Sequence, residues 1–122
     1  MRMEINKLTE RVIGCAYNVS NALGVGYLEK VYENALAVEL RAQEIKVVQQ
    51  KPIAVVYRGV IVGEYIADML VDDQLILEIK AARAIDRAHE AQLINYLKTT
   101  GIHTGLVLNF GTSHLGISRK VA

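Results

Sequence analysis

The chain has 122 residues, 52% of them hydrophobic, and a formal net charge of +1 at pH 7. This composition predicts one domain with a single core over residues 1–122, and the near-neutral charge excludes a protein that attracts nucleic acid through its bulk charge alone. No apolar run reaches the length of a membrane span and the first residues lack the order of a signal peptide, so we expect a cytoplasmic protein without membrane contact.

Two amphipathic helices are predicted at the start of the chain. Apolar residues recur at helical spacing over residues 4–23, and the single cysteine, Cys15, is expected to be a small core residue there. Gly24-Val25-Gly26 ends this helix, and a second helix begins near Leu28. The apolar stripe of the second helix is predicted to consist of Leu28, Val31, Tyr32, Ala35, Leu36 and Leu40.

The middle of the chain changes to short β-branched runs separated by turn residues. These runs predict a meander of about three strands that ends with residues 75–81. A third helix is predicted over residues 86–100, with Gly101 at its C-cap. Its apolar positions are Ala88, Ala91, Ile94 and Leu97.

The end of the chain predicts two more strands. Residues 104–110 form a buried-strand pattern, and residues 115–118 are predicted to form a last edge strand. The order is ααβββαβ(β), which predicts an α/β fold with a mixed central sheet flanked by helices. The third helix would connect two parallel strands.

Three charged residues interrupt two otherwise apolar strands. Asp68 lies in the first strand, whereas Glu78 and Lys80 lie two apart in the second and therefore share a face. A three-residue hairpin loop over Asp72-Asp73-Gln74 sets Asp68 opposite Glu78, whereas a two-residue loop turns it away. We expect the three-residue loop. Charges inside apolar strands are paired or hold a metal, so these residues indicate a site.

These residues suit a divalent metal. The carboxylates of Asp68 and Glu78, with the carbonyl of Ile79, would form an oxygen site for Mg²⁺ or Mn²⁺. Lys80 would help orient or activate a bound water, and such a site favours hydrolysis of a phosphodiester. From spacing alone, the alternative is a buried ion pair of Lys80 with Glu78 or Asp68.

The same residues resemble a known superfamily. Asp68, followed ten residues later by Glu78-x-Lys80, resembles the active-site motif of the PD-(D/E)XK nucleases, with Ala67 in place of the proline. The restriction-endonuclease-like core of that superfamily is αβββαβ, which agrees with the predicted order. Residues 26–32, Gly-Tyr-Leu-Glu-Lys-Val-Tyr, resemble the GxxExxY pattern that names a bacterial family within it, and residues 89–97 and 105–111 resemble later motifs of that family.

The resemblance implies roles for three further residues. Glu29 would be an additional metal or water ligand, although an acid in the first turn of a helix also suits the helix dipole. Gln92 and Tyr96 lie four residues apart on the third helix and resemble the QxxxY motif of lambda-exonuclease-like members. They would border the catalytic site; without the resemblance they would be a polar edge between core and solvent.

The resemblance also implies a nucleic-acid substrate. The candidates for phosphate contact are Lys30, Lys46, Lys51, Arg58, Arg83, Arg87 and Lys98, of which Lys30, Arg83, Arg87 and Lys98 are predicted to bind the nucleic acid. The predicted function is a metal-dependent nuclease that hydrolyses DNA. The alternative is a catalytically silent subunit of the same fold that binds nucleic acid or supports an assembly. Exposed strand edges near residues 115–121 make a homo-oligomer plausible.

Overall fold

Three helices and five strands follow one another along residues 2–122, the part of the chain that the computed structural model describes. In chain order they are α1 (Ile5–Leu23), α2 (Glu29–Ala42), β1 (Val47–Tyr57), β2 (Val60–Val71), β3 (Leu75–Lys80), α3 (Arg87–Thr100), β4 (Thr104–Asn109) and β5 (Gly116–Val121). The predicted order is therefore confirmed, with the last edge strand present. None of the helices in this range is both long and apolar enough to cross a membrane.

The strands form one mixed sheet in the order β1-β2-β3-β4-β5. β3 and β4 are parallel and are connected through α3, whereas the other three pairs are antiparallel. β3 and β4 are almost completely buried, because helices cover both faces of the sheet. The predicted fold class, an α/β fold with a mixed sheet flanked by helices, is confirmed.

The two faces of the sheet have separate cores. On one face α1 and α2 pack against alternate residues of β3, including Leu75, Leu77 and Ile79. On the other face α3 packs through Leu93, Tyr96 and Leu97 against a smaller group. The sheet-side members of that group are Ile53, Ala67, Leu70, Ile76 and Val107. Because side chains alternate along a strand, Glu78 and Lys80 belong to the α3 face of β3.

Capping residues set the ends of the helices. The Glu4 carboxylate accepts hydrogen bonds from the backbone N–H groups of Asn6 and Lys7 and so begins α1. Gly101, at a φ of 75°, ends α3 in the left-handed conformation that the sequence predicts. Cys15 is completely buried in α1, as expected.

Two predicted apolar stripes are partly wrong. Leu28 is 80% exposed and Val31 is also exposed, because the buried face of α2 runs one position further along the helix, through Tyr32, Glu33, Leu36, Ala37 and Leu40. On α3, Ala88 and Ala91 are exposed. Larger side chains bury more apolar area, so the helix turns Leu93, Tyr96 and Leu97 toward the sheet.

The β1–β2 hairpin extends beyond the rest of the sheet. β2 pairs with β1 along its whole length but with β3 only from Met69 to Val71. The turn at Arg58-Gly59 has positive φ at both residues, which suits a tight two-residue hairpin. We call residues 53–66 of this hairpin the arm. Its large exposed apolar side chains are Val56, Tyr57, Val60, Ile61, Val62, Tyr65 and Ile66.

Candidate active site

The β2–β3 hairpin fixes the relation between Asp68 and Glu78. The last paired residues are Met69 with Leu77, and the loop between the strands has three residues, Asp72-Asp73-Gln74. Continuing this register by one residue sets Asp68 opposite Glu78. The predicted register is therefore confirmed.

Side chains replace the backbone ladder at this point. Asp68 Oδ2 accepts a hydrogen bond of 2.7 Å from the backbone N–H of Ile79, and the N–H of Asp68 donates one of 3.3 Å to Glu78 Oε1. The two carboxyl groups lie close enough to share a proton. A carboxyl pair thus lies where β2 and β3 separate.

The carboxyl pair holds a proton. Glu78 is only 3% exposed, and burial, followed by the charge of Asp68, raises the pKa of Glu78 to about 9. Burial also raises the pKa of Asp68, although the N–H of Ile79, the proton of Glu78 and the charge of Lys80 oppose this effect. Glu78 therefore keeps its proton at neutral pH and donates it to Asp68.

Lys80 and Ile79 add a cation and a carbonyl. The half-buried Lys80 lowers the pKa of both carboxyl groups, so its ammonium lies close enough to act on them. The carbonyl of Lys80 accepts from Phe110 N on β4 at 2.8 Å. Since successive residues of a strand direct their backbone groups to opposite edges, the carbonyl of Ile79 faces the β2 edge, where its N–H meets Asp68.

This donor set fits a hard divalent cation. Within residues 2–122, no three His, Cys, Asp or Glu side chains converge on one point. A cation at the carboxyl pair would therefore take two carboxylates, a carbonyl and waters, which suits Mg²⁺ because it retains several waters and uses one or two carboxylates. If both acids were ionised, Lys80 alone would face two negative charges, and a cation would supply the second counter-charge.

Glu29 contacts the end of β3. Its Oε2 accepts a hydrogen bond of 3.3 Å from the N–H of Ala81, the residue after Lys80. Nearby, the Tyr32 hydroxyl donates to the carbonyl of Gly24 at 2.6 Å and accepts from Tyr27 N at 3.2 Å. The Glu29 contact joins the start of α2 to the end of β3, and the Tyr32 contacts hold the loop between α1 and α2. Glu29 thus borders the carboxyl pair without joining it in a three-acid group.

Sequence reasoning missed Glu33. This acid is 3% exposed and accepts hydrogen bonds from Gln49 Nε2 at 2.6 Å, Gln50 Nε2 at 2.9 Å and Lys30 Nζ at 3.1 Å. Its charge contributes to the raised pKa of Asp68, so it faces the carboxyl pair. The local signal in the sequence is only that Glu33 follows Tyr32 on α2, because its burial depends on Gln49 and Gln50 of β1.

Gln50 has a strained backbone beside the pair. The β1–β2 register runs from Gln49 with Met69 to Lys51 with Ala67, which sets Gln50 opposite Asp68. Gln50 has a φ of 55°, a conformation that a residue with a long side chain rarely adopts. The hydrogen bond to Glu33 accompanies this conformation. Nothing in the sequence around residue 50 predicts it.

Asn109 holds the segment that follows Lys80. Its side chain accepts from Ala82 N and donates to the carbonyl of Ala82, both at 2.9 Å, and it also accepts from Gly111 N at 3.1 Å. A Cβ on Gly111 would lie 2.2 Å from the carbonyl oxygen of Ala82. Asn109 and Gly111 therefore fix the path of the chain as it leaves β3, a role that the sequence reasoning did not identify.

Gln92 and Tyr96 line a cleft next to the carboxyl pair. The cleft has a volume of about 660 Å³ and lies between α3 and the arm, with Tyr65 on the arm side. Burial, followed by the charges of Glu78 and Asp68, raises the pKa of Tyr96 to about 12. Its hydroxyl therefore stays protonated and can donate a hydrogen bond.

The predicted phosphate-binding residues have different environments. Lys98 lines the cleft, whereas Lys30 forms an ion pair of 3.1 Å with Glu33. Arg83 and Arg87 are exposed, on the segment after β3 and at the first residue of α3. Of the other candidates, Lys46 pairs with Asp73 at 2.8 Å, Lys51 lines a separate cavity, and the guanidinium of Arg58 lies over the ring of Tyr57 at the arm turn.

Comparison with known protein families finds a match over nearly the whole chain. A family model described as the PD-(D/E)XK nuclease superfamily matches residues 6–120. No curated protein and no solved structure matches the chain. The matched range contains the carboxyl pair, Lys80 and the cleft on α3.

Proposed function

Because the chain belongs to the PD-(D/E)XK nuclease superfamily, we propose that it is a Mg²⁺- or Mn²⁺-dependent nuclease that hydrolyses DNA phosphodiester bonds. Members of this superfamily are generally hydrolytic nucleases that use divalent metals. The observation that supports the proposal is the pair of the partly buried Asp68 and the buried Glu78, which lies where β2 and β3 separate, with Lys80 on the same face of β3 as Glu78. We also assign the chain to the GxxExxY family, supported by the contacts that Glu29 and Tyr32 make.

The carboxyl pair would hold the cation. Asp68, Glu78 and the carbonyl of Ile79 are the proposed ligands, and Glu78 must release its proton when the cation binds. A bound cation lowers the pKa of a water and offsets charge on the phosphate. Lys80 is proposed to donate a hydrogen bond to the attacking water or to a phosphate oxygen, since its ammonium lies near both acids.

Residues around the pair would orient the substrate. The protonated hydroxyl of Tyr96 and the amide of Gln92 can donate hydrogen bonds to a phosphate without adding charge. Glu29 is proposed to act through Ala81, whose position sets that of Lys80. Lys98, Arg83, Arg87 and Lys30 are the proposed phosphate contacts outside the pair, although Lys30 would have to leave Glu33.

The test is cleavage of labelled DNA with added Mg²⁺ or Mn²⁺. Single-stranded, double-stranded and branched substrates, with RNA for comparison, are incubated with the wild type, Asp68→Asn and Lys80→Ala. Asp73→Asn is the matched control, because Asp73 is an exposed acid of the same hairpin. We expect metal-dependent cleavage by the wild type and the control, and a loss of about 100-fold or more in both site variants.

Two outcomes would contradict the nuclease proposal. Equal cleavage by the wild type and Asp68→Asn would mean that the carboxyl pair is not the catalytic centre. An inert wild type that still binds DNA would favour the alternative, a silent nucleic-acid-binding or assembly subunit.

We further propose that the protein acts in the cytosol and forms a homo-oligomer. β5 is an edge strand, and the arm carries seven large apolar side chains that are each more than half exposed. Such surfaces are typical of contact sites between subunits.

A further inference from the structure

The cleft between the arm and α3 has two chemically different walls. Val55 and Tyr65 on the arm form an apolar and aromatic wall. Gln92, Asn95 and Lys98 on α3 form a polar wall. A volume of about 660 Å³ lies in the usual range for sites that hold a small molecule or a nucleotide.

Tyr65 presents an aromatic surface to this cleft. Its side chain is 51% exposed, and its ring centroid lies 5.8 Å from that of Tyr96 at an angle of 47°. Tyr96 is almost completely buried and so supports the Tyr65 ring from behind. Tyr57, by comparison, is 63% exposed near the arm turn and does not line the cleft. Tyr65 is therefore a supported stacking surface, whereas Tyr57 is an exposed side chain.

The cleft lies beside the carboxyl pair, and Tyr96 connects the two. Tyr96 lines the cleft, and the charges of Asp68 and Glu78 act on its hydroxyl. The ring of Tyr65 lies against that of Tyr96, with 5.8 Å between the ring centroids, so Tyr96 contacts the aromatic wall and also lies within reach of the two acids. This arrangement suits a nucleotide with its phosphate at the carboxyl pair and its base against Tyr65.

A base in a duplex cannot use such a cleft, because its faces are covered by neighbouring bases and its edge by its partner. Bases of a single strand are free to unstack, and proteins bind them by stacking on aromatic rings and by hydrogen bonds to the exposed base edges. The amides of Asn95 and Gln92 offer both donors and acceptors for a base edge. Lys98 offers a charge for a phosphate.

We propose that this cleft binds one unstacked base of a single-stranded nucleic acid, with Tyr65 stacking on the base and Asn95 hydrogen-bonding to its edge. The inference rests on the proposed function insofar as it places the adjacent phosphate at Asp68 and Glu78. It makes single strands, or unpaired ends and branches, the preferred substrate.

The test measures binding without cleavage. The protein in excess EDTA is titrated into a single-stranded oligonucleotide that carries 2-aminopurine, and into the matching duplex. We expect stacking on Tyr65 to change the fluorescence of the single strand. Tyr65→Ala should weaken single-strand binding about tenfold and abolish this change, whereas Tyr65→Phe should restore both. Tyr57→Ala is the matched control and should bind like the wild type.

A second variant covers the other wall. Asn95→Leu lies on an exposed position of α3 and should weaken single-strand binding while Tyr65-dependent stacking persists. The inference is overturned if Tyr65→Ala binds single strands like the wild type, if Tyr57→Ala loses as much affinity, or if the duplex is bound equally well and is equally affected.

The binding assay and the cleavage assay fail independently. A wild type that cleaves with metal, together with a Tyr65→Ala variant that binds and cleaves equally well, removes the base site but keeps the nuclease. An inert wild type whose single-strand binding depends on Tyr65 keeps the base site but removes the nuclease.

Discussion

The two halves of β2 have similar apolar composition and opposite environments. Residues 67–71 lie between β1 and β3, and helices cover both faces of the sheet there. Residues 60–66 belong to the arm, pair only with β1 and are largely exposed. Asp68 lies in the covered half, next to the boundary. Neighbouring elements, rather than composition, thus decide which half becomes core, and the carboxyl pair lies where that covering ends.

The largest effect on stability is expected from truncating a side chain in the covered half of β2, whereas the same kind of change in the exposed half should have little effect. Met69→Ala removes a completely buried side chain and should lower the free energy of unfolding by about 2–5 kcal/mol. Ile61→Ala, on the exposed half, should change it by less than about 0.5 kcal/mol. Urea denaturation followed by circular dichroism measures both. Equal losses would mean that the arm is buried in solution.

The second prediction concerns the carboxyl pair and the pH dependence of protein stability. Glu78 binds its proton more tightly when folded, because its pKa rises from an ordinary 4.5 to about 9. Its stabilising contribution is therefore complete below pH 4.5 and is lost as the pH rises toward 9. The raised pKa of Asp68 acts in the same direction. We expect the metal-free protein to lose a few kcal/mol between pH 5 and 8.

Thermal melts in EDTA across this pH range give the measurement. Glu78→Gln keeps the size and the hydrogen-bonding capacity of the side chain but cannot titrate, so its melting temperature should depend much less on pH. A wild type whose stability rises over the same range would contradict the assignment. If the pair binds Mg²⁺ as proposed, added Mg²⁺ should stabilise the wild type more at pH 8 than at pH 5.

The third prediction concerns the hydrogen bonds of Glu33 to β1, next to the carboxyl pair. Glu33→Ala leaves the side chains of Gln49 and Gln50 without their shared acceptor and should cost about 1–3 kcal/mol. Glu39→Ala, at a position of α2 that is not fully buried, is the matched control and should change stability much less. Chemical denaturation compares the two. Losses of equal size would mean that the hydrogen bonds of Glu33 to Gln49 and Gln50 do not stabilise the fold.

The smallest effect on stability is expected from a charge on the arm. Ile61→Lys lies on an exposed position and should change the free energy of unfolding by less than about 0.5 kcal/mol. If the arm forms the proposed contact between subunits, the same variant should lower the mass measured by light scattering. Ser113→Lys, on an exposed loop outside the arm, is the control. An unchanged mass in Ile61→Lys would remove the arm from the oligomer contact.

The covered half of the sheet could be predicted well from the sequence. Short, nearly continuous apolar runs predict β3 and β4, and the expected three-residue loop at Asp72-Asp73-Gln74 sets Asp68 opposite Glu78. Both signals are local, because they depend on residues that are close in the chain. The catalytic roles of Asp68, Glu78 and Lys80 remain a prediction.

The uncovered half could not be predicted in the same way. Alternation tells which residues share a face but not which element covers it, so nothing indicated that β1 and β2 extend beyond β3. The contacts of Glu33 with Gln49 and Gln50 join residues 16 and 17 positions apart, and the positive φ of Gln50 depends on that long-range arrangement. The predicted buried face of α2 was partly wrong for a related reason. The observed face includes Glu33, and its burial depends on hydrogen bonds to Gln49 and Gln50 of β1, which the pattern of α2 does not show.

Because the only cysteine is buried, a cysteine introduced on the arm could be labelled selectively. Cys15 is completely buried, and burial, followed by the charge of Glu39, raises the pKa of its thiol, so it reacts slowly with maleimides. A cysteine introduced by Arg58→Cys at the arm turn would then be the one reactive thiol in the native protein. A fluorophore attached there would report by energy transfer how far the arm moves from a labelled single strand.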